Sequence, residues 1–143
     1  SQSFNLDVDG NGEVTALGDG LMILRKLFGN AFKGEKLTKD AQQGNYRTTE
    51  EIHTFIQRGI DTQTLDIDRD GRVTALGDGL MILRRLFGKA FKGTGLTDMA
   101  ISEQSGFIPA GILGYEALPA MERRAVANMI ATEIDALMPT NMS

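Results

Sequence analysis

The stretch LDVDGNGEVTALGDGLMILRKLFG, residues 6–29, decides the fold because the chain carries it twice. Residues 65–88 read LDIDRDGRVTALGDGLMILRRLFG, and residues 6–34 align with 65–93 without a gap. Of the 29 aligned positions, 23 are identical. The six that differ are Val8/Ile67, Gly10/Arg69, Asn11/Asp70, Glu13/Arg72, Lys26/Arg85 and Asn30/Lys89. An internal repeat of this kind predicts two copies of one structural unit, each followed by a divergent segment.

The first half of each copy has the pattern of a metal loop with oxygen ligands. Calcium takes six to eight oxygens, and a chain supplies them best from alternating carboxylates on a tight loop with a glycine at the turn. Gly12 and Gly71 provide that turn. The predicted ligands of the first loop are Asp7, Asp9, Asn11, the backbone carbonyl of Glu13, Thr15 through a water molecule, and Asp19. Those of the second loop are Asp66, Asp68, Asp70, the carbonyl of Arg72, Thr74 and Asp78.

Two calcium ions are therefore the predicted cofactors. The donor positions keep an oxygen-bearing side chain in both copies, whereas the positions between them change freely. Magnesium fits less well because it demands a tighter octahedral cage. Two divalent cations would also bring the formal net charge of −4 to zero.

The closing carboxylate of each loop departs from the usual pattern. Six residues separate Gly12 from Asp19, so the loop is one residue longer than the usual twelve and ends in aspartate instead of glutamate. We expect the added residue to compensate for the shorter side chain. Each closing aspartate also lies at a predicted helix start, where capping and the helix dipole favour a carboxylate. Between the loops, we expect Val14 to face Val73 across a short backbone bridge.

An amphipathic helix is predicted after each loop. Its apolar face comprises Leu21, Ile23, Leu24, Leu27 and Phe28 in the first copy and Leu80, Ile82, Leu83, Leu86 and Phe87 in the second. Gly29 and Gly88 are typical helix ends, and Phe32 and Phe91 are expected to fold back on the core. The remaining face carries Met22, Arg25 and Lys26, and Met81, Arg84 and Arg85. Either these side chains cover the neighbouring divergent segment, or they form a face for a protein partner.

Each divergent segment also predicts a helix. In the first, Thr48 and Glu51 fit a capping box, Ile52, Phe55 and Ile56 form a buried stripe, and Gly59 ends the helix. In the second, Pro119 suits a first turn, and the predicted stripe runs to about residue 138. It comprises Met121, Ala125, Met129, Ile130, Ile134 and Leu137. The sequence thus predicts an all-α fold of two EF-hand-like loop–helix units, each followed by an extra helix. We expect one pseudo-symmetric domain over residues 1–143, with repeats at about 5–60 and 64–139.

The two quoted stretches resemble the calcium-binding repeats of type I dockerin domains. They are more similar still to dockerin-like repeats of bacterial secreted and surface proteins, and they cover about a third of the chain. The resemblance implies two calcium shells made of the ligands named above. Dockerin repeats follow each other closely, whereas residues 35–64 intervene here. The pair that helps dockerins select a cohesin usually carries hydroxyls, and here it is Ala16–Leu17 and Ala75–Leu76, which leaves cohesin binding open.

The composition of the chain disfavours several classes of function. The acidic net charge disfavours nucleic-acid binding, and no apolar run approaches the ~18 residues of a membrane span. Cysteine is absent and His53 is the single histidine, predicted on the polar side of its helix, so no enzyme activity is predicted. We expect a calcium-stabilised structural or protein-interaction module, part of a larger extracellular or cell-surface bacterial protein. The alternatives are a dockerin that binds a cohesin and an intracellular calcium sensor.

Overall fold

The computed structural model describes residues 3–140 and confirms the all-α prediction. No β-strand occurs within that range. The four α-helices are α1 (Leu21–Phe28), α2 (Thr49–Asp61), α3 (Leu80–Phe87) and α4 (Ala120–Asp135). Short 3₁₀ turns occupy Gly29–Phe32, Gly34–Lys36, Gly88–Phe91, Gly93–Gly95 and Tyr115–Ala117. Gly29 and Gly88, with φ near +80°, end α1 and α3 as predicted.

A π-helical turn precedes both α1 and α3 and accommodates the extra residue of each loop. The turns span Ala16–Gly20 and Ala75–Gly79. The Gly20 N–H donates to the Thr15 carbonyl at 3.0 Å, a bond that closes over five residues instead of four. Such a turn is an α-turn with one residue inserted. The added residue is therefore a local widening of the helix start, and it leaves α1 itself regular.

The same turn carries its own cap. The Thr15 hydroxyl oxygen accepts the Gly18 N–H at 3.1 Å, and an Asp19 carboxylate oxygen accepts the Thr15 N–H at 2.9 Å. This reciprocal pair is a capping box lengthened by one residue. It explains why an aspartate stands at the start of the helix with its carboxylate turned back toward the loop.

Two glycines allow α1 and α3 to approach each other closely. A β-carbon at Gly20 would lie 3.2 Å from the Cδ1 atoms of Leu83 and Leu86. The reverse contact is equivalent, because a β-carbon at Gly79 would lie 3.1 Å from Leu24 Cδ1. The leucines of each helix thus pack over the glycine that precedes the other helix, which brings the two aspartate-rich loops into one packed unit.

One cluster of buried apolar side chains joins all four helices to both loops. Fully buried members come from the loops, from α1 and α3, and from α2 and α4. They include Leu6, Val8, Met22, Ile23, Ile52, Ile56, Leu65, Met81, Ile82, Ile130 and Ile134. The Leu6 N–H also donates to the Leu137 carbonyl at 2.9 Å, which connects the first loop to the segment that directly follows α4.

α2 begins as predicted but continues two residues past its predicted end. The capping box between Thr48 and Glu51 is present, and Ile52, Phe55 and Ile56 are buried. Gly59 lies inside the helix because it packs under an aromatic ring: a β-carbon there would lie 2.9 Å from Phe4 Cδ1. The glycine therefore serves a close side-chain contact and does not end the helix.

The buried face of α4 differs from the predicted stripe. Val126, Ala127, Ile130 and Ile134 are buried. The predicted stripe members Met121, Ala125 and Met129 are exposed, the two methionines by 79% and 40%. The prediction gave weight to the large methionines, whereas the helix presents the small Val126 and Ala127 to the core.

Of the two alternatives for the remaining face of α1 and α3, the structure favours contact with the chain's own segments over a free partner face. Met22 and Met81 have no exposed surface, because each short helix packs on two sides and this side meets the core. The four cations are hydrogen-bonded within the chain. Arg25 donates to the Leu37 and Lys39 carbonyls, Lys26 contacts His53, Arg84 donates to the Leu96 and Asp98 carbonyls, and Arg85 pairs with Asp135.

Two smaller predictions are also wrong. Val14 and Val73 are partly buried against the core, but residues 3–140 contain no backbone bridge between them or elsewhere. Phe32 and Phe91 do not join the core either. The ring of Phe32 lies 6.3 Å from that of Phe28, under the Arg25 guanidinium at 5.5 Å. The cation and the neighbouring ring thus hold this phenylalanine near the surface.

Candidate metal centres

Each loop gathers three aspartates around one point. One carboxylate oxygen from each of Asp7, Asp9 and Asp19 lies within 4.8 Å of the others, and the same is true of Asp66, Asp68 and Asp78. We call these clusters site one and site two. Oxygens bound to one calcium ion at 2.3–2.6 Å are at most about 5 Å apart. The spacing in both clusters is therefore compatible with a single shared cation.

Backbone N–H groups of the loop fix the closing aspartates. One oxygen of Asp19 accepts the Val8 N–H and the other the Thr15 N–H, both at 2.9 Å. Asp78 has the equivalent bonds from Ile67 at 2.6 Å and Thr74 at 2.8 Å. These carboxylates are 0% and 1% exposed. The π-turn thus directs the short side chain of the closing aspartate into the interior of the loop, although this residue comes one position later than in a twelve-residue loop.

One carboxylate oxygen in each site is buried without a hydrogen-bond partner. These atoms are Asp7 Oδ1 and Asp68 Oδ1. The other oxygen of each residue is satisfied: Asp7 accepts the Gly12 N–H and Asp68 the Ser102 N–H. An unpartnered buried carboxylate oxygen is costly unless a cation satisfies it. Both orphaned atoms belong to the clusters, so both clusters have the chemistry of a cation site.

Burial shifts the acid–base behaviour of these groups. Burial, with a smaller contribution from nearby carboxylates, raises the pKa of Asp19 to about 7, that of Asp68 to about 7 and that of Asp78 to about 6. Burial also raises the pKa of Asp7. Desolvation disfavours the charged form, and like charges add to that penalty. A bound divalent cation would reverse both effects.

The other predicted ligands lie along the rims of the loops. Asn11 Oδ1 and Asp70 Oδ1 each accept the N–H two residues further on, at 3.0 and 2.9 Å. The side chains of Glu13 and Arg72 are exposed, which agrees with positions that would offer only a carbonyl. The hydroxyls of Thr15 and Thr74 accept the N–H groups of Gly18 and Gly77. The threonines are therefore helix caps in this structure.

Sequence reasoning missed the segments that reach back to the loops. The Gln43 N–H donates to Asp9 Oδ2 at 2.9 Å, and the Ser102 N–H donates to Asp68 Oδ2 at 2.8 Å. Both donors lie 34 residues after the aspartate that they contact. A signal was present, because the repeat continues weakly past residue 34. Leu37, Thr38 and Ala41 recur as Leu96, Thr97 and Ala100 at the same offset.

Other elements also support the loops. Arg47 Nη1 donates to the carbonyls of Asp7 and Val8 at 3.0 and 2.8 Å. At the second loop, Ser105 Oγ donates to the Asp68 carbonyl at 2.6 Å. Contacts of this kind orient the ligating groups and fix the loop conformation. Each site is consequently built by a loop, a π-turn and the connection that follows α1 or α3.

Comparison with known proteins adds no assignment. Neither a family model nor a curated protein nor a solved structure matches this chain. In the described part of the chain, no helix is both long and apolar enough to cross a membrane. The features of the chain that point to a function are therefore the two aspartate clusters and the surfaces around them.

Proposed function

We propose that this chain is a calcium-stabilised structural and protein-interaction module. The observation that carries the proposal is the pair of buried aspartate clusters, each with a carboxylate oxygen that has no hydrogen-bond partner. All available donors are oxygens, which suits a hard cation, and calcium accepts an irregular arrangement of oxygens more readily than magnesium, which demands a near-ideal octahedron. No catalytic role is part of the proposal.

The module fits a larger secreted or cell-surface bacterial protein. This part of the proposal follows from the dockerin-like pattern of the repeats and from the low cost of holding calcium where it is abundant. Extracellular modules bind calcium with dissociation constants of about 10⁻⁴–10⁻³ M. At free calcium about 100 times the dissociation constant, each site adds about 2.7 kcal/mol to the free energy of unfolding. The ions would then contribute rigidity that disulfides supply in other small exported domains.

Thermal unfolding tests the proposal directly. Protein freed of metal by chelation and dialysis is compared in buffer alone, in calcium chloride at about five to ten times the upper expected dissociation constant of about 10⁻³ M, and in the same concentration of magnesium chloride. We expect calcium to raise the unfolding midpoint by several degrees and magnesium to raise it much less. An unchanged midpoint in calcium would remove the basis of the whole proposal.

A second candidate function is dockerin-like binding to a cohesin. One observation favours it: Leu17 and Leu76, at equivalent positions beside the two sites, are both 63% exposed. Their neighbours differ in burial, Ala75 being buried and Ala16 partly buried. A pull-down of purified cohesins with calcium, compared with the Leu17→Asp/Leu76→Asp variant, separates the two functions. Capture that depends on both leucines supports this candidate, and no capture leaves the first proposal as the function.

The remaining candidate, an intracellular calcium sensor, has less support. A sensor should expose a methionine-rich groove when calcium binds. Met22 and Met81 are fully buried in a continuous core, so their exposure would require the core to open. Calorimetry that gives a dissociation constant well below 10⁻⁵ M, together with calcium-dependent binding of a hydrophobic dye, would support the sensor instead.

A further inference from the structure

The two sites differ in the charge of one ligand position while sharing its geometry. Asn11 and Asp70 occupy the third alternating position, and the Oδ1 atom of each accepts the N–H two residues later. Their side chains thus point the same way along the loop. Asn11 offers a neutral oxygen, whereas Asp70 offers a charged one. The number of charged ligands is a principal determinant of calcium affinity in such loops.

A fixed positive charge lies behind the first loop. Arg47 Nη1 donates to the Asp7 and Val8 carbonyls, and the guanidinium carbon lies 4.0 Å from the centre of the Phe55 ring. Gly10 covers it, since a β-carbon there would lie 3.3 Å from the same carbon. Arg47 already lowers the pKa of Asp7, though less than burial raises it. The same field opposes a cation in site one.

The second loop is supported by neutral donors. The Asp68 carbonyl accepts Ser105 Oγ at 2.6 Å and the Gly106 N–H at 3.0 Å. Neither group carries a charge, so support of this loop does not oppose a cation. The connection after α3 thus holds the backbone of the second loop in place, as Arg47 does for the first loop, but it adds no positive charge near the site.

The second loop carries two arginines whose positive charges also oppose a cation in site two, but both lie at the surface. Arg69 replaces Gly10, and its side chain is 59% exposed and paired with Glu133 at 2.7 Å. Arg72 replaces Glu13 and is exposed. Water, salt and the paired carboxylate screen such charges strongly. A charged ligand in contact with the ion outweighs them.

From these contacts we infer that the two sites are inequivalent: site two binds calcium about tenfold more tightly than site one and fills first. The inference rests on the proposed calcium binding and adds an order to it. Site two is then the constitutive structural site. Site one, joined through Arg47 to Phe55 of α2, is the site that responds to a change in calcium concentration.

Site-resolved amide spectra test this order. The N–H groups of Gly12 and Gly71 each donate to the first aspartate of their own loop at 2.9 Å, so each reports on one site. Metal-free, ¹⁵N-labelled protein is titrated with buffered calcium. We expect the Gly71 signal to reach its midpoint at about one-tenth of the calcium concentration that Gly12 needs. Equal midpoints, or Gly12 first, would overturn the inference while leaving calcium binding intact. No response from either amide would instead refute the proposed function.

Reciprocal substitutions test the cause. The Asn11→Asp/Asp70→Asn double variant moves the charge between loops with little change of shape, and we expect it to reverse the order of the two midpoints. Arg47→Gln should shift only the Gly12 midpoint to lower calcium, and Arg124→Gln, the same charge change at an exposed position of α4, should shift neither. Midpoints that both stay unchanged in the double variant would exclude ligand charge as a determinant, even if Arg47→Gln failed to fold.

Discussion

Asp19 performs two tasks with one short side chain. Its two oxygens accept N–H groups from both ends of the first loop, at Val8 and at Thr15. The residue is 0% exposed, and desolvation followed by the charges of Asp9 and Asp7 raises its pKa to about 7. A cation in site one removes the electrostatic cost and leaves the hydrogen bonds. We therefore expect Asp19 to contribute most to the free energy of unfolding when the ion is bound.

Replacing Asp19 with asparagine separates these contributions. In saturating calcium, we expect Asp19→Asn to lose the contribution of site one, about 2.7 kcal/mol of unfolding free energy at 100 times the dissociation constant. In metal-free buffer the loss should be much smaller. There, the lost hydrogen bond, worth about 1–3 kcal/mol, is offset by removing a carboxylate that two neighbours repel. Urea unfolding in both buffers measures the two differences.

Asp40→Asn is the matched control for that substitution. Asp40 is exposed and has a φ of +61°, which asparagine tolerates as well as aspartate does. We expect no calcium-dependent difference between Asp40→Asn and the unmodified chain. An equal loss for Asp19→Asn with and without calcium would show that the carboxylate is a helix cap alone.

At the scale of elements, the contact between α1 and α3 depends on two glycines. Gly20→Ala places a β-carbon 3.2 Å from two leucine methyl groups of α3. The leucines and the π-turn would have to shift, which costs about 1–3 kcal/mol in a packed core. Thermal or urea unfolding of the calcium-bound protein measures the change.

Gly95→Ala controls for the intrinsic effect of the alanine. No atom outside the immediate chain lies within 4 Å of a β-carbon at Gly95, and its φ is not positive. We expect this variant to change stability by less than about 0.5 kcal/mol. Gly20→Ala and Gly79→Ala should behave alike, since each faces the leucines of the other helix. Wild-type stability in both would contradict the close helix approach.

Local signals in the sequence predicted the elements well. The alternating aspartates predicted the loops, Gly29 predicted the end of α1, and Thr48 with Glu51 predicted the start of α2. Each of these signals acts within a few residues. The π-turn was not predicted, although its cause, one extra residue before Asp19, was visible. The hydrogen-bond pattern that absorbs an insertion depends on the neighbouring helix as well as on the loop.

At the scale of the molecule, the predicted burial of side chains was wrong where a helix packs against other elements on two of its faces. Met22 lies beside Arg25 on a helical wheel, which predicts a polar face for it. In the structure this face of α1 packs against the core, so Met22 is fully buried. The α4 stripe is right for Ile130 and Ile134 but wrong for Met129, because Val126 and Ala127 occupy the core side of the helix instead. Contacts such as Gln43 with Asp9 join residues far apart in sequence, so no local pattern specifies them.

The whole metal-free molecule should become less stable as the pH rises through the range from about 4 to 7. The pKa values of Asp19 and Asp68, about 7, and of Asp78, about 6, lie well above the 3.9 of an unfolded aspartate. Between those limits the folded chain binds more protons than the unfolded chain, and stability falls with pH wherever that is so. Well above these folded-state pKa values both states are deprotonated at these positions, and their contribution to the pH dependence ends.

Calcium should invert this dependence, because the ion binds only the deprotonated clusters. We expect the difference in unfolding midpoint between calcium-saturated and metal-free protein to be near zero at pH 4 and largest above pH 7. Dialysed protein is used for the metal-free series, since chelators themselves lose affinity in acid. The Asp19→Asn/Asp68→Asn/Asp78→Asn variant lacks three of the four raised groups, Asp7 being the fourth, and its metal-free midpoint should fall much less across this pH range than that of the unmodified chain. If the metal-free midpoint of the unmodified chain rises through this range, the carboxylates ionise without a free-energy penalty. The two clusters would then have no unfavourable desolvation or repulsion for a cation to offset.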